Sequence, residues 1–460
     1  MANQYFVMVK SAEVALMVGI LWAVLAFGGA EPGTFALVEV LLLGVSALVV
    51  AGPGFGALRR LKGFGVPALL VAAVLLQLCP LPRFLLPLFA RPLPRPSVSQ
   101  GTLTLAPYDT QAQVLILLTC LAGFYLAQII AQEKGGVRRL ITFLVALGAF
   151  ESMYGLIQYL SGWQMIFTYA KKYDLEEATG TYINRNHFAG FLEMILPLCL
   201  ALVLYEYWKL RGNGRQSFTR IKTRGSRQRF PGFIFFLFVA IMLSVGLTFS
   251  RSRMGIIASA VSILVIFGVA SLQRKSGLLL SGLFIVLSVG LAGWIGARSV
   301  VGRFENVGQE YTVKNESRLS IWQGTGTLIR NHPWLGAGLG TFPVAYTEVQ
   351  STFLTQFVNH AHNDYLEIAS DLGIPAAMCL FVSILFILVR ALRDFSRGES
   401  RFERAVALGC AGSIVAILLH SLTDFNLHIP ANALVFSVIL GIAMSRSRAS
   451  RNRASVEVAA

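Results

Sequence analysis

The feature that most constrains this chain is a series of apolar stretches, each about long enough to cross a lipid bilayer as a helix. Inside lipid every backbone polar group needs a partner within the span, so stretches of this kind form α-helices. The sequence therefore predicts an all-α polytopic membrane protein with about 12 transmembrane helices. The predicted spans are Glu13–Ala30, Phe35–Val50, Val66–Leu81, Gln113–Ala131, Leu140–Leu160, Phe188–Leu204, Phe233–Phe249, Gly255–Leu272, Leu278–Ala297, Ile374–Val389, Ala405–Leu422 and Ile429–Met444.

Composition supports the same fold class. Of the 460 residues, 55% are hydrophobic and only 13% are charged, whereas soluble domains are about 25% charged. The five cysteines all lie in or beside the apolar stretches, and none has a CxxC neighbour. They are interpreted as small buried hydrophobic residues, and not as disulfide partners or metal ligands.

The basic residues predict the orientation of the chain. If the N-terminus is cytoplasmic and each span changes the side, 26 of the 39 Lys and Arg residues fall on the cytoplasmic side. This bias follows the positive-inside rule and predicts that both termini are cytoplasmic. The formal charge of +16 is accordingly interpreted as topology anchoring beside anionic membrane lipids, so no nucleic-acid partner is predicted.

The spacing of the spans divides the chain into three parts. Residues 1–297 contain spans one to nine, residues 298–373 form a large external loop, and residues 374–460 contain the last three spans and a basic cytoplasmic tail. A loop of this length is commonly functional or disordered, and its aromatic and glycine content argues against disorder.

Two short helices are predicted within the loop. The first starts at Asn315 or Ser317 and runs to about Arg330. The second starts at Asn363 or Asp364 and ends near Gly373, with a glutamate placed three residues after Asp364 as in a capping box. The glycines of GAGLGTF resemble a nucleotide-binding loop, but no strand precedes them, so a flexible loop is the preferred interpretation.

Polar residues from five separate parts of the chain converge on the external face in this topology. This convergence predicts a functional site there. The five parts are TYINRNHFAG with Asn184 and Asn186, TFSRSRMG with Arg251 and Arg253, ESRLSIW with Arg318, HAHNDYLE with His360, His362 and Asn363, and HSLTDFNLHIPAN with Asp424.

The arginines are candidate phosphate ligands. Arg251 and Arg253 share a short turn at the external interface, where positive charge is disfavoured unless it is paired or functional. Guanidinium groups bind diphosphate oxygens and stay charged, although snorkelling towards lipid headgroups is the alternative role. Arg318 shares a helix face with Trp322, and a structural stack of the two side chains is as plausible as phosphate binding.

His362 is the candidate general base. It precedes a predicted helix start, where the helix dipole disfavours the imidazolium form, and neutral imidazole can accept a proton near pH 7. A structural histidine and half of an HxH metal site are the alternatives. No carboxylate or cysteine set with ligand spacing accompanies it, so no metal and no cofactor are predicted.

At HAHNDYLEIASDLGIPA, TFSRSRMG and NESRLSIWQGTGTLIRNHPWLGAGLGTF, the chain resembles the bacterial O-antigen ligase and polysaccharide polymerase family. The resemblance spans roughly Gly180–Asn432, and HNDYLEIASDLG is its most specific part. It implies a GT-C-like, metal-independent, inverting glycosyltransferase of the inner membrane that uses undecaprenyl-diphosphate-linked glycans at the periplasmic face.

The resemblance also implies roles for individual residues. Arg251 matches the arginine of the family's SR motif, Arg318 that of the R-x-x-x-W loop helix, and His362 the catalytic-loop histidine. Arg251 and Arg318, with Arg253 beside them, are then diphosphate ligands, and His362 is the base. Supporting or substrate-binding roles fall to Asn184, Asn186, His360, Asn363 and Asp424. His187 stands where other residues are common in the family.

Three functions remain open. A ligase uses lipid A core or another glycan acceptor, and a polymerase uses a second lipid-linked repeat. The more distant alternative is a transporter or flippase of lipid-linked glycans. In that case Glu39, Glu151 and Glu193, which lie in apolar stretches, would be a coupling path. Charge gathered at one face, and not at the midplane, favours the transferase.

Overall fold

A computed structural model describes residues 2–52, 58–80, 101–210, 230–273, 282, 307–350 and 357–445. Apart from a two-stranded antiparallel hairpin, β1 (Met165–Ile166) and β2 (Tyr169–Ala170), these residues form helices and their connections. The α-helices are α1 Ala2–Leu25, α2 Pro32–Ala51, α3 Gly65–Leu78, α4 Pro107–Ile130, α5 Gly136–Ser161, α6 Arg185–Leu210, α7 Phe230–Phe249, α8 Arg253–Gln273, α9 Val307–Asn331, α10 Phe342–Ala345, α11 Asp364–Arg397, α12 Arg401–His420 and α13 Pro430–Met444.

The prediction of an all-α polytopic membrane protein is confirmed. Within the described residues, nine helices are long and apolar enough to span a membrane, and α3 and α13 are shorter apolar helices. These eleven helices coincide with eleven of the predicted spans, and the remaining one, Leu278–Ala297, lies outside the described residues except for residue 282. The largest boundary error is in α1, which begins at Ala2 and so contains both Lys10 and Glu13, which pair at 2.8 Å.

Helix α6 forms the centre of the bundle. It is buried along most of its length and packs against α12, α7, α5 and α8. The close contact with α12 depends on small residues: a Cβ atom at Gly409 would lie 2.7 Å from Ala201 Cβ. The Ser413 hydroxyl donates to the Met194 carbonyl oxygen across the same interface. The two helices run so that the beginning of α6 meets the end of α12, where His420 Nδ1 lies 2.9 Å from Glu193 Oε2.

Two helix starts in the large loop differ from the prediction. Helix α9 begins at Val307, upstream of the predicted Asn315 or Ser317. Helix α11 begins at Asp364 with Asn363 as its N-cap, whose side chain accepts a hydrogen bond from the Leu366 amide. The predicted capping box is wrong, because the carboxylate of Glu367 accepts from the amide of Ala361.

Helix α11 is interrupted at Gly373, as predicted for the end of the loop helix. Gly373 has a φ of 78°, and a Cβ atom there would lie 2.4 Å from the Trp334 carbonyl oxygen. The GAGLG segment packs against this break: the amides of Ala337 and Gly340 donate to the Ser370 carbonyl oxygen and to Asp371 Oδ2. The segment is therefore fixed to α11, and its interpretation as a flexible loop is wrong.

Candidate active site

The candidate site lies where four helix ends meet. Helices α6, α11 and α13 begin there and α12 ends there, so a single end of the bundle receives residues that are distant in sequence. The turn of residues 421–429 between α12 and α13 joins them, because the amide of Asp364 donates to the carbonyl oxygens of Ser421 and Asp424. The convergence predicted from topology is thus present as direct contacts between the described residues.

His362 lies in the segment just before α11, beside this turn, in an uncommon backbone conformation. Its φ of 51° is in the left-handed region, which few residues other than glycine adopt and which costs roughly 1–3 kcal/mol. Its Nδ1 atom lies 3.9 Å from Asp424 Oδ1 and has no hydrogen-bond partner among the described residues. The side chain is 36% exposed, and its ring packs edge-on against Phe425. The imidazole is therefore both held in place and accessible.

Asp424 is the buried carboxylate beside His362. Asn186 Nδ2 donates to Asp424 Oδ2 at 2.6 Å, and His187 Nε2 lies 3.8 Å from Oδ1. Burial alone would raise the pKa of Asp424, but the imidazoles of His362, His187 and His420 outweigh burial and hold it well below its usual range. His362, Asp424 and His187 are called the open cluster below, because His362 Nδ1 and His187 Nε2 lack hydrogen-bond partners among the described residues.

The predicted asparagines fix the helix starts at the site. Asn184 precedes α6, and its Oδ1 accepts from the Asn186 amide at 2.7 Å. Asn363 caps α11, and its Nδ2 also donates to the Leu422 carbonyl oxygen at 2.9 Å. These two contacts hold the starts of α6 and α11 in the positions from which Asn186 and His362 approach Asp424.

A second group of histidines and carboxylates lies directly beside the open cluster. His428 Nδ1 bonds to Asp364 Oδ1 at 2.8 Å, and its Nε2 lies 3.5 Å from Glu367 Oε1. Glu367 also bonds to His360 Nδ1 at 2.7 Å, and Asp364 accepts from the Ser421 hydroxyl. Asp364, Glu367, His428 and His360 are called the paired cluster.

His428 carries the positive charge of the paired cluster. Burial opposes this charge, but the carboxylates of Glu367, Asp364 and Asp371 outweigh burial and raise the pKa of His428 to about 10. His360 stacks on Phe425 with ring centroids 3.9 Å apart. The same phenylalanine therefore separates His360 of the paired cluster from His362 of the open cluster.

Arg251 lies among acidic residues next to the open cluster. Like His362 it has a left-handed backbone, with a φ of 55°. Its Nη1 lies 3.3 Å from Glu176 Oε2 and 3.6 Å from Glu177 Oε1, and Glu177 also binds Arg185, the residue before Asn186. Ion pairs thus link Arg251 to Arg185 through Glu177, and the next residue, Asn186, contacts Asp424. Arg253 begins α8 two residues further on.

The helix that carries Arg318 is docked beside the site. Arg318 lies on α9 four residues before Trp322, whose Nε1 donates to the carbonyl oxygen of Ala361, the neighbour of His362. Among the described residues no cation–π contact joins Arg318 to Trp322. The Trp322 indole therefore holds α9 beside the site, and the Arg318 guanidinium does not stack on that indole.

Several site residues were not predicted. Glu367 was interpreted only as part of a cap, and Glu176 and Glu177 were not considered. The sequence did contain a signal for the first: Asp364, Glu367 and Asp371 recur at intervals of three and four, which places three carboxylates on one face of α11. The acidic pair in the loop before α6 has no such periodicity, because its position depends on the fold of that loop.

The three glutamates considered for a transport path lie in different surroundings and share no contact partner among the described residues. Glu151 accepts from the amide and hydroxyl of Thr181, Glu193 pairs with His420, and Glu39 is half-buried on α2. No group of three or more His, Cys, Asp or Glu residues in the described ranges is arranged to hold a metal ion.

Comparison with known families agrees with the motifs. Residues 237–381, about a third of the chain, match a family model described as O-antigen ligase. The matched segment contains Arg251, Arg253, Arg318, His360, His362 and Asn363. No curated protein matches the chain significantly. The family match confirms the resemblance seen in the sequence: residues 237–381 are similar to the O-antigen ligase family, and the many apolar helices make the chain a multi-pass membrane protein.

Proposed function

We propose that the protein transfers a glycan from undecaprenyl diphosphate to an acceptor hydroxyl, as an O-antigen ligase-like enzyme of the bacterial inner membrane. The acceptor is lipid A core or another glycan, and transfer takes place at the periplasmic face with inversion and without a metal ion. Both termini are cytoplasmic in this arrangement. The observation that carries the proposal is the accessible imidazole of His362 beside the buried carboxylate of Asp424.

In the proposed step His362 is the general base. Nδ1 faces Asp424, which leaves Nε2 to take the proton from the acceptor hydroxyl. The hydroxyl oxygen forms a bond to the anomeric carbon while the bond from that carbon to the diphosphate oxygen breaks, and the diphosphate leaves with the electron pair. Attack opposite the leaving group inverts the anomeric centre. A positioned base contributes about 10²–10⁴-fold to such a reaction.

Asp424 is a positioning residue in this scheme. Its Oδ1 is about 1 Å too far from His362 Nδ1 for a hydrogen bond, and catalytic hydrogen bonds commonly shorten when substrate binds. Asn186 and the Phe425 amide hold the carboxylate at 2.6 Å and 2.8 Å. A fixed anion of this kind orients the ring and stabilises the imidazolium that forms after proton transfer.

The arginines bind the donor diphosphate in the same scheme. The Glu176 side chain next to Arg251 is 83% exposed, so it can move aside when phosphate oxygens approach, whereas Glu177 is buried and keeps Arg185 in place. Arg318 approaches from α9, and Arg253 follows Arg251 on the same turn. Their charges offset the charge that develops on the leaving diphosphate.

In vitro transfer tests the proposal. Purified protein receives undecaprenyl-diphosphate glycan with and without EDTA, and with and without a separate lipid acceptor. We expect product only with the acceptor, and a loss of at least about 100-fold in His362→Ala and His362→Asn. The asparagine variant matters because asparagine tolerates the left-handed backbone but cannot act as the base. Arg318→Ala is compared with Arg330→Ala, an exposed arginine on the same helix.

The outcomes separate the open alternatives. Chain growth from the donor alone would identify a polymerase in place of a ligase. Product that disappears with EDTA would overturn metal independence, and near-normal transfer by folded His362→Asn would overturn the role of the base. No product in any mixture, together with donor transport that is lost on replacing Glu39, Glu151 and Glu193, would identify a transporter.

A further inference from the structure

A cavity of about 1030 Å³ lies at the end of the bundle remote from His362. It is formed where α4 ends and α5 begins, where α11 ends and α12 begins, and at the end of α13. Helix α11 contributes to both places, with Asp364 near the candidate active site and Arg393 at the cavity. The helical run from Asp371 to Arg393 corresponds to about 30 Å, so the cavity lies near the opposite membrane face.

The lining of this cavity combines an apolar wall with a basic rim. The wall includes Phe386, Val406 and Ile442, and Phe386 is 55% exposed on the surface of α11. The rim contains Lys134 from the α4–α5 turn, Arg138 from the first turn of α5, and Arg393 and Arg397 from the end of α11, and all four are exposed. An apolar wall beneath several cations fits a molecule with acyl chains and an anionic head.

The four rim cations are available to a ligand. In the part of the chain that the structure describes, no carboxylate lies within ion-pair distance of any of them.

Two of the acidic lining residues are already engaged. Asp394 lies 3.6 Å from Arg390 Nε, and Glu403 belongs to the capping box of α12 with Ser400. The positive-inside rule explains why basic residues occur at this face, but it does not require them to surround a cavity.

We infer that this cavity binds an anionic glycerophospholipid of the leaflet opposite the candidate active site. The phosphate lies between the α4–α5 turn and Arg393 and Arg397 of α11, and an acyl chain follows the wall beside Phe386. The cavity volume is near the upper end of the usual range for ligand pockets, about 300–1,000 Å³, which suits a headgroup and the adjoining part of its chains. The inference does not depend on the proposed transferase activity.

Lipid titration of the full chain in detergent tests this inference. Binding is measured by native mass spectrometry and by the shift in Tm, with cardiolipin, phosphatidylglycerol, phosphatidylethanolamine, phosphatidylcholine, and glycerol phosphate as the chain-free control. Arg393→Gln/Arg397→Gln removes half of the rim charge. Arg59→Gln/Arg60→Gln removes the same charge from two exposed arginines that do not line the cavity.

We expect the two anionic lipids to bind and raise Tm, and the zwitterionic lipids and glycerol phosphate to have little effect. The α11 double variant should bind the anionic lipids about 30-fold more weakly, Arg393→Lys/Arg397→Lys should retain most of the affinity, and the Arg59/Arg60 variant should match the wild type. Equal binding of phosphatidylcholine, an equal loss in the Arg59/Arg60 variant, or an effect of glycerol phosphate as large as that of the lipids would each overturn the inference.

Discussion

The open and paired clusters lie side by side and contain the same residue types, histidines and carboxylates. They differ in whether these groups are hydrogen-bonded to one another. In the paired cluster, the carboxylates of Asp364 and Glu367 bond to histidines at 2.7–2.8 Å. In the open cluster, Asp424 lies 3.8 Å and 3.9 Å from its two histidines, and one nitrogen of each ring has no partner within the described residues.

This difference indicates a structural role for the paired cluster and a chemical role for the open cluster. Buried charges that are fully paired hold structural elements together, and the folded protein is destabilised when one partner is removed. A histidine with an unfilled hydrogen-bonding position next to a fixed carboxylate can still take up a proton, which favours a functional role. The two clusters share Phe425 and the start of α11, so the paired cluster can fix the position from which His362 works.

Removing a carboxylate from the paired cluster should produce the largest effect. Asp364→Asn leaves the charged His428 without its closest partner in a buried site, which is expected to cost about 3–5 kcal/mol. The loss is measured as a fall in Tm of the purified protein in detergent. If Asp364→Asn unfolded at the wild-type temperature, the paired cluster would not be a structural support.

Removing the carboxylate of the open cluster should affect turnover before stability. We expect Asp424→Asn to lower kcat at least about 10–100-fold, the range found for residues that orient metal-bound histidines. KM for the donor should stay near the wild-type value, because Asp424 is 2% exposed and lies behind His362. Transfer kinetics at saturating acceptor measure both constants.

Asn186→Leu is the matched variant for this prediction, because it removes one hydrogen bond to Asp424 but keeps the charge. Its kcat should fall less than that of Asp424→Asn. A rise in donor KM with unchanged kcat in Asp424→Asn would instead place Asp424 in direct contact with the donor.

The sequence predicted the membrane fold because hydropathy acts locally: a run of apolar residues forms a spanning helix wherever it occurs. Helix ends were less predictable. The first span was predicted to begin at Glu13, yet α1 begins at Ala2 and Lys10 pairs with Glu13 within it. Helix α9 begins at Val307 although the predicted cap was Asn315 or Ser317, because nothing obliges a helix to begin at a cap-forming residue.

The candidate site was partly predictable for a similar reason. Topology predicted that Asn186, His362 and Asp424 lie at one face, and the structure brings Asn186 and His362 to within 4 Å of Asp424. The pairing of His428 with Asp364 was not predicted, because it depends on the path of residues 421–429 and no local pattern specifies that path. Glu367 was interpreted as part of a helix cap. Its partners in the structure are His360, seven residues upstream, and His428, on another element.

For each pH unit, the smallest expected effect is a pH dependence of stability that originates in His428. Its pKa is about 10 in the folded protein, against about 6.5 in an unfolded chain. The folded state therefore binds the proton more tightly. The stabilisation is complete below pH 6.5, and it is lost as the pH rises towards 10, by at most about 1.4 kcal/mol for each pH unit.

His428→Gln sharpens the comparison between the clusters through this dependence. The variant keeps a polar side chain beside Asp364 and Glu367 but cannot carry the charge, so its Tm should be lower at pH 7 and should decline less between pH 7 and pH 10. Thermal unfolding across this range measures the slope, with Asn186→Leu as the control: it replaces an uncharged side chain, so its slope should match the wild type. Equal slopes in wild type and His428→Gln would mean that the paired cluster is not held together by the charge on His428, and the contrast with the open cluster would then rest on hydrogen-bond geometry alone.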